Sequence, residues 1–544
     1  MGNYISAGVY SQEKDLSTIV PAIATSSAAI VGYSVKGPTD ATLITNSQQF
    51  ISKYGEPVLN NYFHYSALAF LENGNILYCK RVINGALYAG ISIVNEDSSD
   101  DNAGFAVGQS AADFYDDSTV SDEIFSIFAE NQGLWGNNIK IIIKDVNNLY
   151  YDEDDEHACE VADQYTFVIE VYYPDNDGNY SLVESWKVSR KTKTDGYNKQ
   201  VYLEDVINGY SSYIRVADNT DVADTVLPKE NASTYIQATG GVNGSEATAS
   251  QIAAAWSDFE NPSDIDVRIL IAGGYTTATV ASAIVAIAEA RKDCIAVLDT
   301  SYSNLASAQT ITDWRRDDLN INSSYAALYA PWVKINDPYN DKVVTVPPSG
   351  FVASQYAYND SVEEAWWAPA GFNRGLLNVL ALSDIFTKGE RDTLYKYQVN
   401  PLQTFRGQGN VIWGQKTLQV KPSALDRVNV RRLLIVLEKE VSTSLQTFLF
   451  EPNSELTRFR ITAMLDEYMD NLSAKGAFQT ELGDKGYLNV CSTTNKTPAV
   501  IDRNELHVDI FVKPIRSAEF IQLQTIITTT GVSFNELITK GVLF

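Results

Sequence analysis

With 544 residues, 45% hydrophobic and 20% charged, the chain is long enough for two to four domains with full cores, and its composition excludes the disordered and collagen-like classes. A formal net charge of −27, with no long Lys/Arg run, excludes nucleic acid as a partner, because phosphate binding needs a concentrated basic surface. No run approaches the roughly 18 apolar residues of a membrane span, residues 1–10 lack the pattern of a secretory leader, and the cysteines form no legible disulfide framework; a soluble chain made in a reducing cytoplasm is expected.

The charge is unevenly placed. Residues 1–84 hold 5 basic and 5 acidic side chains, 85–235 hold 9 and 29, 236–399 hold 11 and 19, and 400–544 hold 16 and 15. The second segment alone nets −20. Like charges at that density repel across a close-packed interface, so this segment reads as a solvent-facing domain inserted between nearly neutral ends.

In chain order, residues 1–25 alternate in part (Ile5, Ala7, Val9) and turn at Pro21, the pattern of an extended arm leading into a strand at 28–34. Short helices are expected at 47–53 and 62–72, followed by Gly55 and Gly74, and then a buried strand at 76–82. Inside the acidic segment, 140–144, 165–173 and 180–188 read as strands with a hairpin loop at 174–179, which predicts a separate, mostly β domain. Next come a strand at 266–272, a turn at Gly273-Gly274, a helix at 278–291 and a strand at 294–299, a βαβ unit with parallel pairing. A helix near 313–319 and a strand at 325–332 repeat the pattern.

The last third opens with helices over 427–450 and 454–474. The first carries an apolar stripe of Leu434, Leu437, Val441, Leu445 and Phe448; the second is capped by Asn453 and ended by Gly476. Residues 506–513 and 520–528 read as strands, and the sequence closes on the apolar Gly541-Val542-Leu543-Phe544. Two apolar, strand-like ends that charge and proline barely blunt are suited to adding a strand to a neighbour's sheet. Such a contact is heterologous and generates helical filaments unless rotation closes it. Pairing of both ends within their own subunit is the alternative.

No catalytic constellation emerges. His64, His157 and His507 stand in no metal-binding spacing, and the run from Gly409 to Gly414 before Gln415-Lys416 is one residue too long for a phosphate loop. Gly273-Gly274 sits where a nucleotide phosphate binds in some α/β folds, but without G-x-G-x-x-G it reads as a tight turn. Asp175, Asp177 and Asn179 mimic the start of a calcium loop without its later glycine and glutamate. The acidic run 152–156, with His157 and Cys159 beside it, reads as a solvated loop, and Met1-Gly2 with Ser6 as a chance match to an acylation pattern. No metal or cofactor is assigned.

Several short blocks, taken in order, resemble the sheath proteins of contractile phage tails and related sheaths of R-type bacteriocins and other contractile injection systems. They are Ser6-Ala7-Gly8-Val9-Tyr10 with Val20-Pro21-Ala22; the stretch 325–338; Val346-Pro347-Pro348-Ser349-Gly350; Ala368-Pro369-Ala370-Gly371; Asn400-Pro401-Leu402; Trp413-Gly414 with Thr417-Leu418; Asn429-Val430-Arg431-Arg432; Phe450-Glu451-Pro452-Asn453; 501–506; and Lys513-Pro514 with Ala518-Glu519-Phe520. Ala7 stands where the family usually has proline. The resemblance does not extend to the acidic segment 85–235.

The resemblance implies a multidomain α/β (α+β overall) structural subunit and no enzyme. Its expected parts are a linker arm (1–25), a middle α/β domain (26–84 with 236–399), an acidic, mostly β outer domain (85–235), an inner domain facing the tube (400–529) and a second arm (530–544). It implies self-assembly as stacked hexameric rings around a tail tube, with baseplate and tail terminator proteins as further partners, in a virion tail assembled in the host cytoplasm. Inter-subunit strand exchange is expected at Ile5, Val9, Tyr10, Ile526, Ile527, Val532, Phe534, Leu543 and Phe544, with arm hinges at Gly8, Gly531 and Gly541. Arg458, Arg460 and Lys475 are expected to face the tube, because the C-terminal region lacks the acidic excess. The alternatives are the sheath of a DNA-free injection particle and a Rossmann-like enzyme built on the βαβ unit. A secreted adhesin or surface-layer protein is a third, drawn from the acidic β segment alone.

Overall fold

A computed structural model describes residues 26–94, 123–144, 146, 165–175, 178–194, 199–231, 234–481, 484–491 and 502–522. Its centre is a nine-stranded sheet, ordered Leu376–Leu377, Gly409–Ile412, Val399–Phe405, Ala326–Ala330, Ile295–Asp299, Ile269–Ile271, Ala28–Tyr33, Leu77–Val82 and Thr42–Ile44. The strands from Val399–Phe405 through Leu77–Val82 run parallel, while Thr42–Ile44 at one edge and Gly409–Ile412 and Leu376–Leu377 at the other are antiparallel to their neighbours.

The parallel strands are apolar throughout because helices cover both faces. Ala28, Ile30, Ile271, Val297 and Tyr329 pack against Phe63, Phe70, Val352 and Tyr356 of helices Tyr62–Phe70 and Ser349–Val362. The alternate residues Ala29, Val31, Leu270, Ala296 and Leu328 pack against Trp256, Ile284, Ile311 and Leu394 on the other side. The helix Ala278–Arg291 lies where the sequence placed it, between parallel strands.

The inserted segment is mostly β. A four-stranded sheet (Ile236–Gln237, Lys140–Lys144, Thr166–Pro174, Tyr180–Ser189) and a three-stranded sheet (Gly90–Val94, Glu123–Ala129, Ile214–Asp218) share a core that includes Ile91, Phe125, Ile141, Phe167 and Val188. The loop after Pro174 is the expected hairpin: Asn179 N donates to Asp175 Oδ1 at 2.8 Å, so the side chain caps a turn. The insertion leaves and rejoins the central domain at one place, where Ser245 N donates to Asn84 O at 2.8 Å. Arg81, buried there, donates to the carbonyls of Ser34 (2.7 Å) and Gly37 (3.0 Å) on one side and Gln132 (2.8 Å) on the other.

Several expectations are corrected. A domain boundary at residue 400 would cut the strand Val399–Phe405, which belongs to the central sheet; the sheet is left only after Leu418, whose N donates to Ala326 O. Gly409 to Gly414, whose glycines read as turns and not as a phosphate loop, includes the hairpin strand Gly409–Ile412. Ser454, not Asn453, caps the second C-terminal helix, its Oγ accepting from Thr457 N at 3.2 Å. The expected strand at 520–528 is absent over the described residues 520–522, and the rest lies outside them. Short strands at Thr42–Ile44, Val333–Asp337 and Lys342–Val346 were not anticipated.

Candidate assembly surfaces

The crevice at the carboxyl ends of the parallel strands, where an enzyme of this architecture would bind its ligand, is occupied by the protein's own carboxylate. Asp299 ends its strand fully buried. Its Oδ1 accepts from Ser349 N (2.7 Å), and its Oδ2 accepts from Ser349 Oγ (2.7 Å) and Gly274 N (2.9 Å). Gly273 N in turn donates to Ser349 Oγ at 3.1 Å. The amides of the Gly273-Gly274 turn and the first amide of helix Ser349–Val362, the donors a phosphate would need, are thus spent on Asp299 and Ser349. Burial pushes the Asp299 pKa up to about 6 despite these donors.

Of the other candidate residues, His64 and the cysteines are either buried or outside the described residues. Among the described residues no group of three or more His, Cys, Asp or Glu could hold a metal. His64 is buried with its pKa held down to about 4 by desolvation, and its Nε2 lies 3.1 Å from Tyr54 O. Cys79, Cys294 and Cys491 are buried free thiols, and His157, Cys159 and the acidic run beside them lie outside the described residues.

The C-terminal third presents surfaces of another kind. Helix Val428–Leu445 is set into the central domain by its first turns: Arg432 donates to Asp360 at 2.6 Å with both side chains buried, and Arg431 donates to Ser324 Oγ at 2.7 Å. Farther along, Lys439 pairs with Asp293 at 3.1 Å. The helix then packs on Glu455–Ala474 through Leu433, Leu437, Val441, Ile461, Leu465 and Leu472.

Beside these helices lies an antiparallel hairpin, Tyr487–Val490 with Asp509–Val512, which has no third strand among the described residues. Its pleat turns Ile510 and Val512 toward the helices and leaves Leu488 and Phe511, directly opposite each other, 59% and 60% exposed. Between the hairpin and the first helix runs an apolar groove of about 530 Å³, lined by Leu434, Leu437, Val441, Leu445, Leu449 and Ile510 among others. The apolar stripe read from the sequence is only partly used by its own subunit; much of it lines this groove.

Of the expected tube-facing residues, Arg460 and Lys475 are exposed, Lys475 pairing with Glu364 at 2.7 Å. Arg458 is corrected: it is buried on the core face of its helix and holds the Asn453 side chain, so it is not available as a surface charge. On the same helix as Arg460 the side chains of Leu456 and Phe459 stand in solvent, as does Phe450 before it. The expected strand-exchange residues (Ile5, Val9, Tyr10, Ile526, Ile527, Val532, Phe534, Leu543, Phe544) and hinges (Gly8, Gly531, Gly541) all lie outside the described residues.

Comparison with known proteins agrees with this architecture. The phage tail sheath protein central domain matches residues 245–418, and the phage tail sheath C-terminal domain matches 420–528. The tail sheath protein of Enterobacteria phage T4 is 32% identical over 398 residues, covering 67% of this chain and 58% of that one. That of Vibrio phage KVP40 is 29% identical over 429 residues, covering 72% and 61%. The chain therefore spans about three-fifths of the length of these relatives.

Solved structures of similar fold include the contracted sheath complex of an extracellular contractile injection system (TM-score 0.54, 16% identity, 97% of this chain and 98% of that chain). Another is the sheath tail protein of Listeria innocua (TM-score 0.55, 10% identity, 87% and 90%). The matched domains span both sides of the break after Leu418, and the chain belongs to the phage tail sheath protein family.

Proposed function

We propose that the chain is the repeating structural subunit of a contractile tail sheath. It polymerises as stacked hexameric rings around an inner tube and shortens to drive the tube through a target envelope, with baseplate and terminator proteins at the ends. The observation that carries the reading is the hairpin Tyr487–Val490/Asp509–Val512 beside an open apolar groove. A two-stranded sheet is marginal alone and gains stability from added strands. Strands donated by the arms 1–25 and 530–544 of neighbouring copies would extend it, their apolar residues filling the groove. Arg460 and Lys475 then face the tube. The stroke moves each subunit as a rigid body while the exchanged strands persist, and it needs no nucleotide, which accords with a crevice filled by Asp299.

The sequence relatives are phage sheaths, which favours a virion tail over a DNA-free injection particle. Electron microscopy of the purified full-length protein, a truncation after Thr530 and Phe511→Lys is the test. Hollow tubes from the full chain, with monodisperse variants, are expected. Tubes formed equally by all three would refute strand exchange, and the absence of tubes on an added tube template would refute the polymer reading.

A further inference from the structure

The route by which the C-terminal segment leaves the molecule carries an inference beyond strand exchange. After the hairpin, Ile515 N still donates to Ala477 O at 3.0 Å, so residue 515 belongs to the C-terminal domain. Residues 516–518 then cross the surface exposed, Arg516 and Ser517 bordering a cavity of about 410 Å³ beside Asp426, Arg427 and Val430. At 519 the half-buried Glu519 side chain reaches both the start of helix Val428–Leu445 and the central domain.

The Glu519 carboxylate accepts from four donors: Arg427 Nε (2.6 Å) and Nη2 (3.0 Å), Tyr395 Oη (2.8 Å) and Gln415 Nε2 (3.2 Å). Arg427 is the residue at which helix Val428–Leu445 begins, Gln415 follows the last strands of the central sheet, and Tyr395 ends helix Lys388–Lys396. Beyond this point Phe520 and Ile521 are 83% and 88% exposed. Successive side chains of an extended chain point to opposite sides, so exposure of both means that neither is packed into the core, although Phe520 still borders the cavity beside Arg427.

We infer that Glu519 is a clasp that fixes the exit point of the C-terminal arm on the central domain, so that tension on the arm passes to Arg427 and Tyr395 and not to the hairpin. The clasp suits such a load. A bidentate guanidinium–carboxylate pair is geometrically specific and about twice as strong as neutral hydrogen bonds, and every other residue of 516–522 is exposed. The mechanical consequence rests on the sheath reading above; the clasp itself is a property of the monomer.

The test is hydrogen–deuterium exchange on the full-length monomer over 513–522, comparing wild type, Glu519→Gln and Arg427→Lys, with the amides of Ile269–Ile271 reporting that the core is intact. Loss of the charged fork should speed exchange of the Ile515 amide, which is bonded to Ala477 O, on the order of 10-fold or more in Glu519→Gln, and less in Arg427→Lys, which keeps the charge but not the fork. Unchanged exchange in both variants overturns the clasp. The second arm compares the urea concentration at which tubes of wild type and Glu519→Gln fall apart: a lower value for the variant supports the load path, and equal values overturn it. Were the wild-type chain to form no tubes, the sheath reading would fail while the exchange arm would still decide the clasp.

Discussion

Replacing Asp360 by alanine should expose how the C-terminal domain is held. Asp360 and Arg432 are each 4% exposed and joined by one contact of 2.6 Å, and the guanidinium also lies over the Tyr356 ring at 4.9 Å. Asp360 Oδ1 and Arg432 Nη1 have no hydrogen-bond partner among the described residues. Asp360→Ala therefore strands a buried cation, a loss of about 3–5 kcal/mol. At roughly 2–4 °C per kcal/mol for a domain of 150–250 residues, the calorimetric midpoint of the corresponding transition should fall by about 6–20 °C. Because the pair is only half satisfied, Asp360→Ala with Arg432→Met should recover most of the loss. Scanning calorimetry of the two variants decides the matter. A single variant that costs under about 1 kcal/mol, or a double variant worse than the single, would refute the view that this contact is an incompletely solvated buried pair.

Further outcomes follow from other sites. Asp299 has a folded pKa near 6 against an ordinary 3.8, so the native state holds its proton more tightly; the stability this confers is full below about pH 4 and is lost as pH rises through 6, a change of about 3 kcal/mol. Asp299→Asn should flatten that slope in urea titrations between pH 4 and 7. A Cβ on Gly350 would lie 2.4 Å from Ser66 O, so Gly350→Ala should cost several kcal/mol or yield no folded protein, read by circular dichroism and soluble yield. Since Asn84 and Ser245 are hydrogen-bonded neighbours, replacing 85–244 by a short linker should leave the central domain folded and assembly intact by microscopy. Loss of tubes there would mean that the outer domain takes part in the polymer.

Much of the fold was legible where pattern and period coincide. Helix Ala278–Arg291 was read to the residue because an apolar face, a preceding glycine pair and a following buried strand all agree. The boundary at 400 failed because neither the charge distribution nor the short family blocks reveal that a strand such as Val399–Phe405 joins a sheet begun hundreds of residues earlier. Arg458 could have been placed: it continues the stripe Ile461, Leu465, Tyr468 and Leu472 at helical spacing, whereas Arg460 falls off it. Asp299 left a weaker trace, an acid at the end of an apolar strand. The Glu519 clasp left none, since its three partner residues, Tyr395, Gln415 and Arg427, lie 124, 104 and 92 residues earlier and only tertiary structure brings them to it.

The position of Ala28–Tyr33 between Leu77–Val82 and Ile269–Ile271 has a consequence for synthesis. When the first three strands and two helices have left the ribosome, one side of Ala28–Tyr33 is still an open, apolar edge, and its partner is encoded beyond the entire insertion. At about 5–20 residues per second, that edge waits roughly 10–40 s. The outer domain, whose core comes entirely from residues 88–238, can fold in the interval and stand as a charged, soluble body beside the unfinished sheet. The net charge of −20 carried by residues 85–235 would then shield the nascent chain from its neighbours on the polysome.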